Sequence, residues 1–142
     1  MKIYTVCKKH IISTGHRIYG HPGKCANLHG HSYEFHFYIT APVLDNLGMV
    51  VDFSYIKQTL CAWLDSNYDH RMLIWEQDPI AQELLAIDKS VVLVPYNPSA
   101  ENMANYLLTV VAPQLITNPQ VKVEKVMVGE GPTSIATCQM KE

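Results

Sequence analysis

The chain has 142 residues, 48% of them hydrophobic and 17% charged, with a formal net charge of -2 at neutral pH. That length and apolar content suit one folded domain spanning residues 1–142 with a sizeable core, and they exclude a disordered chain. The near-neutral balance offers no global attraction to nucleic acid or anionic lipid, and no apolar run reaches the about 18 residues that a membrane helix needs.

The N-terminus, Met1-Lys2-Ile3-Tyr4, lacks the apolar core of a signal peptide, so a cytoplasmic location is expected. Residues 1–12 mix β-branched and aromatic side chains and read as a first strand. A polar stretch over 13–27, punctuated by Gly20, Pro22 and Gly23, reads as a loop. The clearest strand covers 31–40, where His31, Tyr33, Phe35, Phe37 and Ile39 share one parity and Ser32, Glu34, His36, Tyr38 and Thr40 the other. Asn46-Leu47-Gly48 marks a turn, after which Asp52 or Ser54 caps a helix with Phe53, Ile56, Leu60, Trp63 and Leu64 at its apolar positions.

Residues 68–71 form a polar link, residues 78–87 a short helix and residues 91–94 a short apolar strand. Ser99 caps a second helix carrying Met103, Ala104, Leu107, Leu108 and Val111 and ending by Pro113. Two strands close the chain, over 121–128 and 134–140, with Gly129-Glu130-Gly131-Pro132 as the turn between them. Strands that pair in sequence at both ends, with helices between, predict an α+β fold with an antiparallel sheet and helices on one face.

The four cysteines, Cys7, Cys25, Cys61 and Cys138, contain no C-x-x-C pair, which argues against a thiol-only zinc site or a thioredoxin-type motif. Cys7, Cys61 and Cys138 are expected to pack as small buried hydrophobes. Cys25-Ala26-Asn27-Leu28-His29-Gly30-His31 is different: it sets a thiol and two imidazoles within one short segment that enters a strand. His29 and His31 share a strand face and reach one ion, and His16 stands where a hairpin partner would bring it opposite. Three imidazoles leave a tetrahedral zinc one open position, the arrangement of a catalytic site. Cys25 either completes that shell or stands beside it with a lowered thiol pKa as base or nucleophile; spacing leaves both open. His10, His21 and His36 are set aside, His36 for its parity.

Asp69-His70 is a candidate acid–base pair, in which a carboxylate orients one ring nitrogen and frees the other to move a proton. Glu130, between two glycines at a strand end, offers a carboxylate able to accept two parallel hydrogen bonds from an amino-N–H edge such as a pterin's.

Together these segments resemble the 6-pyruvoyltetrahydropterin synthase superfamily, in family order and over nearly the whole chain. Cys25 to Tyr33 looks like its zinc-and-thiol signature, His16 like the histidine ending its first strand, and Tyr68-Asp69-His70 like its Asp-His motif. Asn97-Pro98-Ser99-Ala100-Glu101-Asn102 resembles the start of its second helix, and Val126-Met127-Val128-Gly129-Glu130 the strand ending in its pterin-anchoring glutamate. The three residues between Cys25 and His29 are similar to the bacterial 6-carboxy-5,6,7,8-tetrahydropterin synthases of queuosine biosynthesis.

The resemblance implies the tunnelling fold: a four-stranded antiparallel sheet with two helices on one face, assembling through its strands into a barrel as trimers or hexamers. It also implies Zn2+ on His16, His29 and His31, with Cys25 off the metal as base and Asp69 and His70 transferring protons. Glu130, Ser99 and Ala100 would contact the pterin of 7,8-dihydroneopterin triphosphate. The expected products are 6-carboxy-5,6,7,8-tetrahydropterin, acetaldehyde and triphosphate. A 6-pyruvoyltetrahydropterin-forming or related pterin lyase, and a non-catalytic zinc-binding module, are the alternatives. The length of the 74–95 stretch and the residues flanking His16 and Glu130 depart from the family pattern.

Overall fold

The computed structural model describes residues 1–141. Strand β1 (Tyr4–His16) and strand β2 (His29–Ala41) form one long antiparallel hairpin, in register from Tyr4 opposite Ala41 to His16 opposite His29. The alternation in β2 is expressed as burial: Tyr33, Phe35, Phe37 and Ile39 are wholly buried, while Ser32, Glu34, His36 and Tyr38 of the other parity are at least partly exposed. The first strand runs to His16 because residues 13–16 continue to pair with 29–32, so the loop is shorter than the sequence suggests.

The first long helix, α1, comprises an α-helical turn Phe53–Ile56, a π segment Lys57–Cys61 and a closing α segment Ala62–Asn67. Asp52 is its cap, accepting the Ser54 N–H at 2.9 Å. Strand β3 (Arg71–Trp75), helix α2 (Ala81–Ile87) and strand β4 (Val91–Val94) follow. The second long helix, α3, is built likewise from Ala100–Tyr106, a π segment Leu107–Val111 and Ala112–Leu115, capped by Ser99, whose hydroxyl accepts the Asn102 N–H. Strands β5 (Lys122–Glu130) and β6 (Ile135–Gln139) complete the chain.

The sheet order is β4-β3-β1-β2-β5-β6. Its β1-β2-β5-β6 portion is the expected antiparallel four-stranded sheet. The whole sheet has six strands rather than four and is mixed, because β3 pairs parallel to β1 and β4 parallel to β3. The segment taken as a polar link therefore becomes a strand at Arg71. Its Met72-Leu73-Ile74-Trp75 run has no alternation, as befits a parallel strand covered on both sides, and Leu73 and Ile74 are wholly buried.

One core joins the inward residues of β2 and β5 to Ile56, Leu60 and Leu64 of α1 and to Met103, Leu107 and Val111 of α3. Of the three cysteines expected to be buried, Cys61 is; Cys138 is half-buried. Cys7 is exposed, because it lies on the outward parity of β1, opposite Tyr38. No helix among the described residues is long and apolar enough to cross a membrane.

Candidate metal centre and its neighbours

The hairpin register decides the geometry of the histidines. His16 on β1 and His29 on β2 are direct cross-strand partners, and His31 follows two residues along the same face. Their ring centroids lie 4.6, 5.2 and 4.9 Å apart for the pairs 16–29, 16–31 and 29–31. One candidate ligand atom from each of the three lies within 4.8 Å of the other two. Among the described residues this is the one such group of three or more His, Cys, Asp or Glu, and Cys25 does not belong to it.

Two of the rings are oriented by backbone carbonyls. His16 Nδ1 lies 2.6 Å from the Pro98 oxygen and His29 Nδ1 2.6 Å from the Asn27 oxygen. A carbonyl only accepts, so each Nδ1 carries the proton and each Nε2 carries the lone pair, as a metal-ligating imidazole requires. Burial pushes the pKa of His16 down against the raising effects of the Pro98 carbonyl and Glu130, which favours the neutral, ligating form.

Glu130 reaches the same place from a third strand. It pairs in register with Tyr33, and its Oε2 lies 3.3 Å from His16 Nε2 and 3.6 Å from His31 Nε2. Even so, both of these buried Nε2 atoms lack a hydrogen-bond partner: the carboxylate is near but not aligned. Two unpartnered buried ring nitrogens beside a carboxylate, one of them carrying a lone pair, are an arrangement that a cation between them would satisfy, so the donor set fits a borderline metal such as zinc. The glycines around Glu130 serve the turn itself. A Cβ on Gly129 would fall 2.6 Å from the Gly131 carbonyl oxygen, and Gly131 has φ of +85°.

Asp69 and His70 are pinned to β1 at one residue. The Ser13 N–H donates to Asp69 Oδ1 at 3.0 Å, and the His70 N–H donates to the Ser13 carbonyl at 2.6 Å. The same Asp69 Oδ1 lies 3.0 Å from His70 Nδ1, so the carboxylate stands beside one ring nitrogen of the imidazole and leaves Nε2 on the other side of the ring. His70 is the one non-glycine residue at positive φ, 59°, among the described residues, and its side chain is 80% exposed. His70 and His31 border one open cleft of about 500 Å3, together with Ser13, Ser32 and Arg71.

Cys25 sits half-buried in a single 3-10 turn, Lys24–Ala26, within the loop joining β1 to β2. Its carbonyl accepts the Ile18 N–H at 2.7 Å. Ser99 and Ala100, placed beside the pterin by the resemblance, form the start of α3: Ser99 is its cap and Ala100 is buried. Sequence reasoning missed three contributors here: the Pro98 carbonyl, the Asn97 side chain that exchanges two 3.0 Å hydrogen bonds with the Tyr19 backbone, and the Arg17–Asp78 ion pair. Their partners stand 61 to 82 residues away, and no local pattern announces them.

An α+β fold that gathers three imidazoles and a carboxylate on adjacent strands defines a protein with a pocket fit for a metal ion. The chain belongs to the 6-pyruvoyl tetrahydropterin synthase family, whose model matches residues 5–141. It is 37% identical over 129 residues to the 6-carboxy-5,6,7,8-tetrahydropterin synthase of Rickettsia bellii, covering 89% of this chain and 94% of that one. In fold it is similar to an uncharacterised protein of Wolinella succinogenes, at a TM-score of 0.87, 23% identity and coverage of 99% and 100% of the two chains. It is also similar to the 6-pyruvoyl tetrahydropterin synthase of Caenorhabditis elegans, at a TM-score of 0.70, 25% identity and coverage of 99% and 98%.

Proposed function

We propose that this protein is a zinc-dependent 6-carboxy-5,6,7,8-tetrahydropterin synthase. It takes 7,8-dihydroneopterin triphosphate and water to 6-carboxy-5,6,7,8-tetrahydropterin, acetaldehyde and triphosphate, in the cytoplasm and in service of queuosine or a related 7-deazapurine. The observation that carries this reading is the three-imidazole cluster with unpartnered Nε2 atoms, flanked by Glu130 and separate from Cys25. The name borne by the Rickettsia bellii relative supports the carboxy-forming branch.

His16, His29 and His31 would hold the zinc, which when bound supplies a Lewis acid that lowers the pKa of substrate hydroxyls. The residues do the rest. Cys25, outside the ligand cluster, acts as thiolate and abstracts a proton from the pterin side chain. His70, with Nδ1 3.0 Å from Asp69, presents Nε2 as the group that takes up and returns protons while triphosphate leaves and the side chain is cleaved. Glu130 anchors the pterin ring through its amino-N–H edge, with Ser99 and Ala100 at the rim of the ring's site. The exposure of His70 suits a place at a boundary between copies, where one chain's Asp69 and His70 complete a neighbour's site in a trimer or hexamer.

Incubating zinc-loaded protein with 7,8-dihydroneopterin triphosphate and identifying the products by mass spectrometry tests the reading. Acetaldehyde with a carboxypterin supports it; 6-pyruvoyltetrahydropterin assigns the chain to the other branch of the family.

A further inference from the structure

Arg17 follows the ligand His16 directly, and its guanidinium turns away from the histidines to meet Asp78. The contact is a two-pronged fork, with Nε on Oδ2 at 2.7 Å and Nη2 on Oδ1 at 2.7 Å. Asp78 is only 4% exposed, a depth at which a carboxylate is retained only when paired. It is held from its own side as well: its Oδ1 accepts the Ile80 N–H at 3.0 Å, and its N–H donates to the Trp75 carbonyl at 2.9 Å. The carboxylate is thus a fixed point supplied by the stretch between β3 and α2, part of the region whose length departs from the family pattern.

The third nitrogen of the guanidinium, Nη1, donates at 3.4 Å to the carbonyl of Ala26, the residue after Cys25. The next residue in the chain, Ile18, donates to the carbonyl of Cys25 itself at 2.7 Å. The peptide units on either side of the Ala26 Cα are therefore held by residues 17 and 18, and residue 17 is held by Asp78. Cys25 is in a turn of three residues whose local bonds, Ala26 N–H to the Gly23 carbonyl and Asn27 N–H to the Lys24 carbonyl, shape the turn, while the bonds from residues 17 and 18 fix where it sits against the end of β1.

We propose that Asp78 is a positioning residue: through the Arg17 fork it locks the loop carrying Cys25 so that the thiol stays in reach of the substrate. The proposal rests on reading Cys25 as the reactive thiol. It does not require Asp78 to touch substrate or metal.

The test compares the zinc-loaded wild-type protein with Asp78→Asn, which keeps the shape but removes the charge, and Arg17→Lys, which keeps the charge but removes the fork. Three quantities are read: zinc per chain, amide hydrogen exchange over 18–28, and kcat and KM on 7,8-dihydroneopterin triphosphate. In both variants zinc content is expected to be unchanged, exchange at Ile18 to accelerate at least about 10-fold, and kcat to fall by about 10- to 100-fold with KM within a few-fold, as misplacement of a reacting group produces. Asp78→Glu, which retains a carboxylate for the fork, is expected to recover part of kcat. Unaltered loop exchange in both variants, or loss of zinc from either, overturns the proposal, the latter because the effect would then pass through His16. If the wild-type protein turns over no pterin, the functional reading falls, whereas the exchange comparison still decides whether Asp78 fixes the loop.

Discussion

His16 Nδ1 and the carbonyl oxygen of Pro98 lie 2.6 Å apart, although 82 residues separate them. This one bond ties the last residue of β1 to the entrance of α3, so the tautomer of an imidazole in the candidate metal cluster depends on how the second helix is started. Pro98 has no side-chain donor or acceptor; the protein uses the backbone, and Ser99 next to it fixes that backbone by capping the helix.

Replacing Ser99 by Ala is expected to cost about 1 kcal/mol, and Ser99→Gly only a few tenths. For a chain of this size that is a loss of roughly 3 °C in Tm for the alanine variant, measurable by calorimetry. Equal Tm values for the two variants would contradict a capping role.

The proposed division between ligands and thiol separates two substitutions. His29→Ala removes one of three ligands and is expected to deplete the metal, read as zinc per chain by elemental analysis. Cys25→Ala is expected to retain about one zinc per chain while losing turnover, since a catalytic site keeps three protein ligands. Loss of zinc on Cys25→Ala would make the cysteine a fourth ligand.

Chelation distinguishes an enzyme from a zinc-stabilised binding module. The core joins both long helices to the sheet through apolar side chains. Metal removal is therefore expected to leave the far-ultraviolet circular dichroism and a cooperative unfolding transition in place while abolishing turnover. Unfolding on chelation is what a structural zinc domain would do.

His70 combines an exposed imidazole with φ of 59°, a conformation that costs a non-glycine residue about 1 kcal/mol. His70→Gly is accordingly expected to keep or slightly raise Tm while lowering kcat by about 10²- to 10⁴-fold, the usual contribution of a general acid–base group. A fall in Tm with full activity would reverse both assignments.

Asp78 carries a pH signature. Burial pushes its carboxyl pKa up, but the Arg17 hydrogen bonds, the Ile80 N–H and the Arg17 charge outweigh burial and leave it below the ordinary 3.8. Below that value the unfolded chain takes up a proton that the folded chain does not, so stability falls with pH. The contribution is complete above pH 3.8 and is lost as pH falls through the folded pKa. The difference in unfolding free energy between wild type and Asp78→Asn is expected to shrink across that window; a constant difference would show that the pair does not couple to folding.

Much of the site was legible because its signals are local. Two histidines at strand spacing must share a face, and Ser99 before an apolar helical repeat must cap it. The sequence places Arg71 in a polar link because a short, non-alternating apolar run carries no period, and only the parallel pairing of Thr14 with Arg71 makes it a strand. The exposure of Cys7 is not legible in the sequence because parity along residues 1–12 is ambiguous until β2 fixes which side is inward.

By itself, then, the sequence determined the α+β order of elements, the antiparallel pairing at both ends and the two histidines of one strand face, since these follow from spacing along the chain, and the resemblance of its motifs carried the family. Only the tertiary structure decided that two parallel strands extend the sheet, that Glu130 stands 3.3 Å from His16, that Pro98 sets a tautomer, and that Asp78 grips Arg17 beside the Cys25 loop. Those are contacts between residues far apart in the chain, whose partners are chosen by packing and by the need to pair buried polar groups rather than by any local repeat.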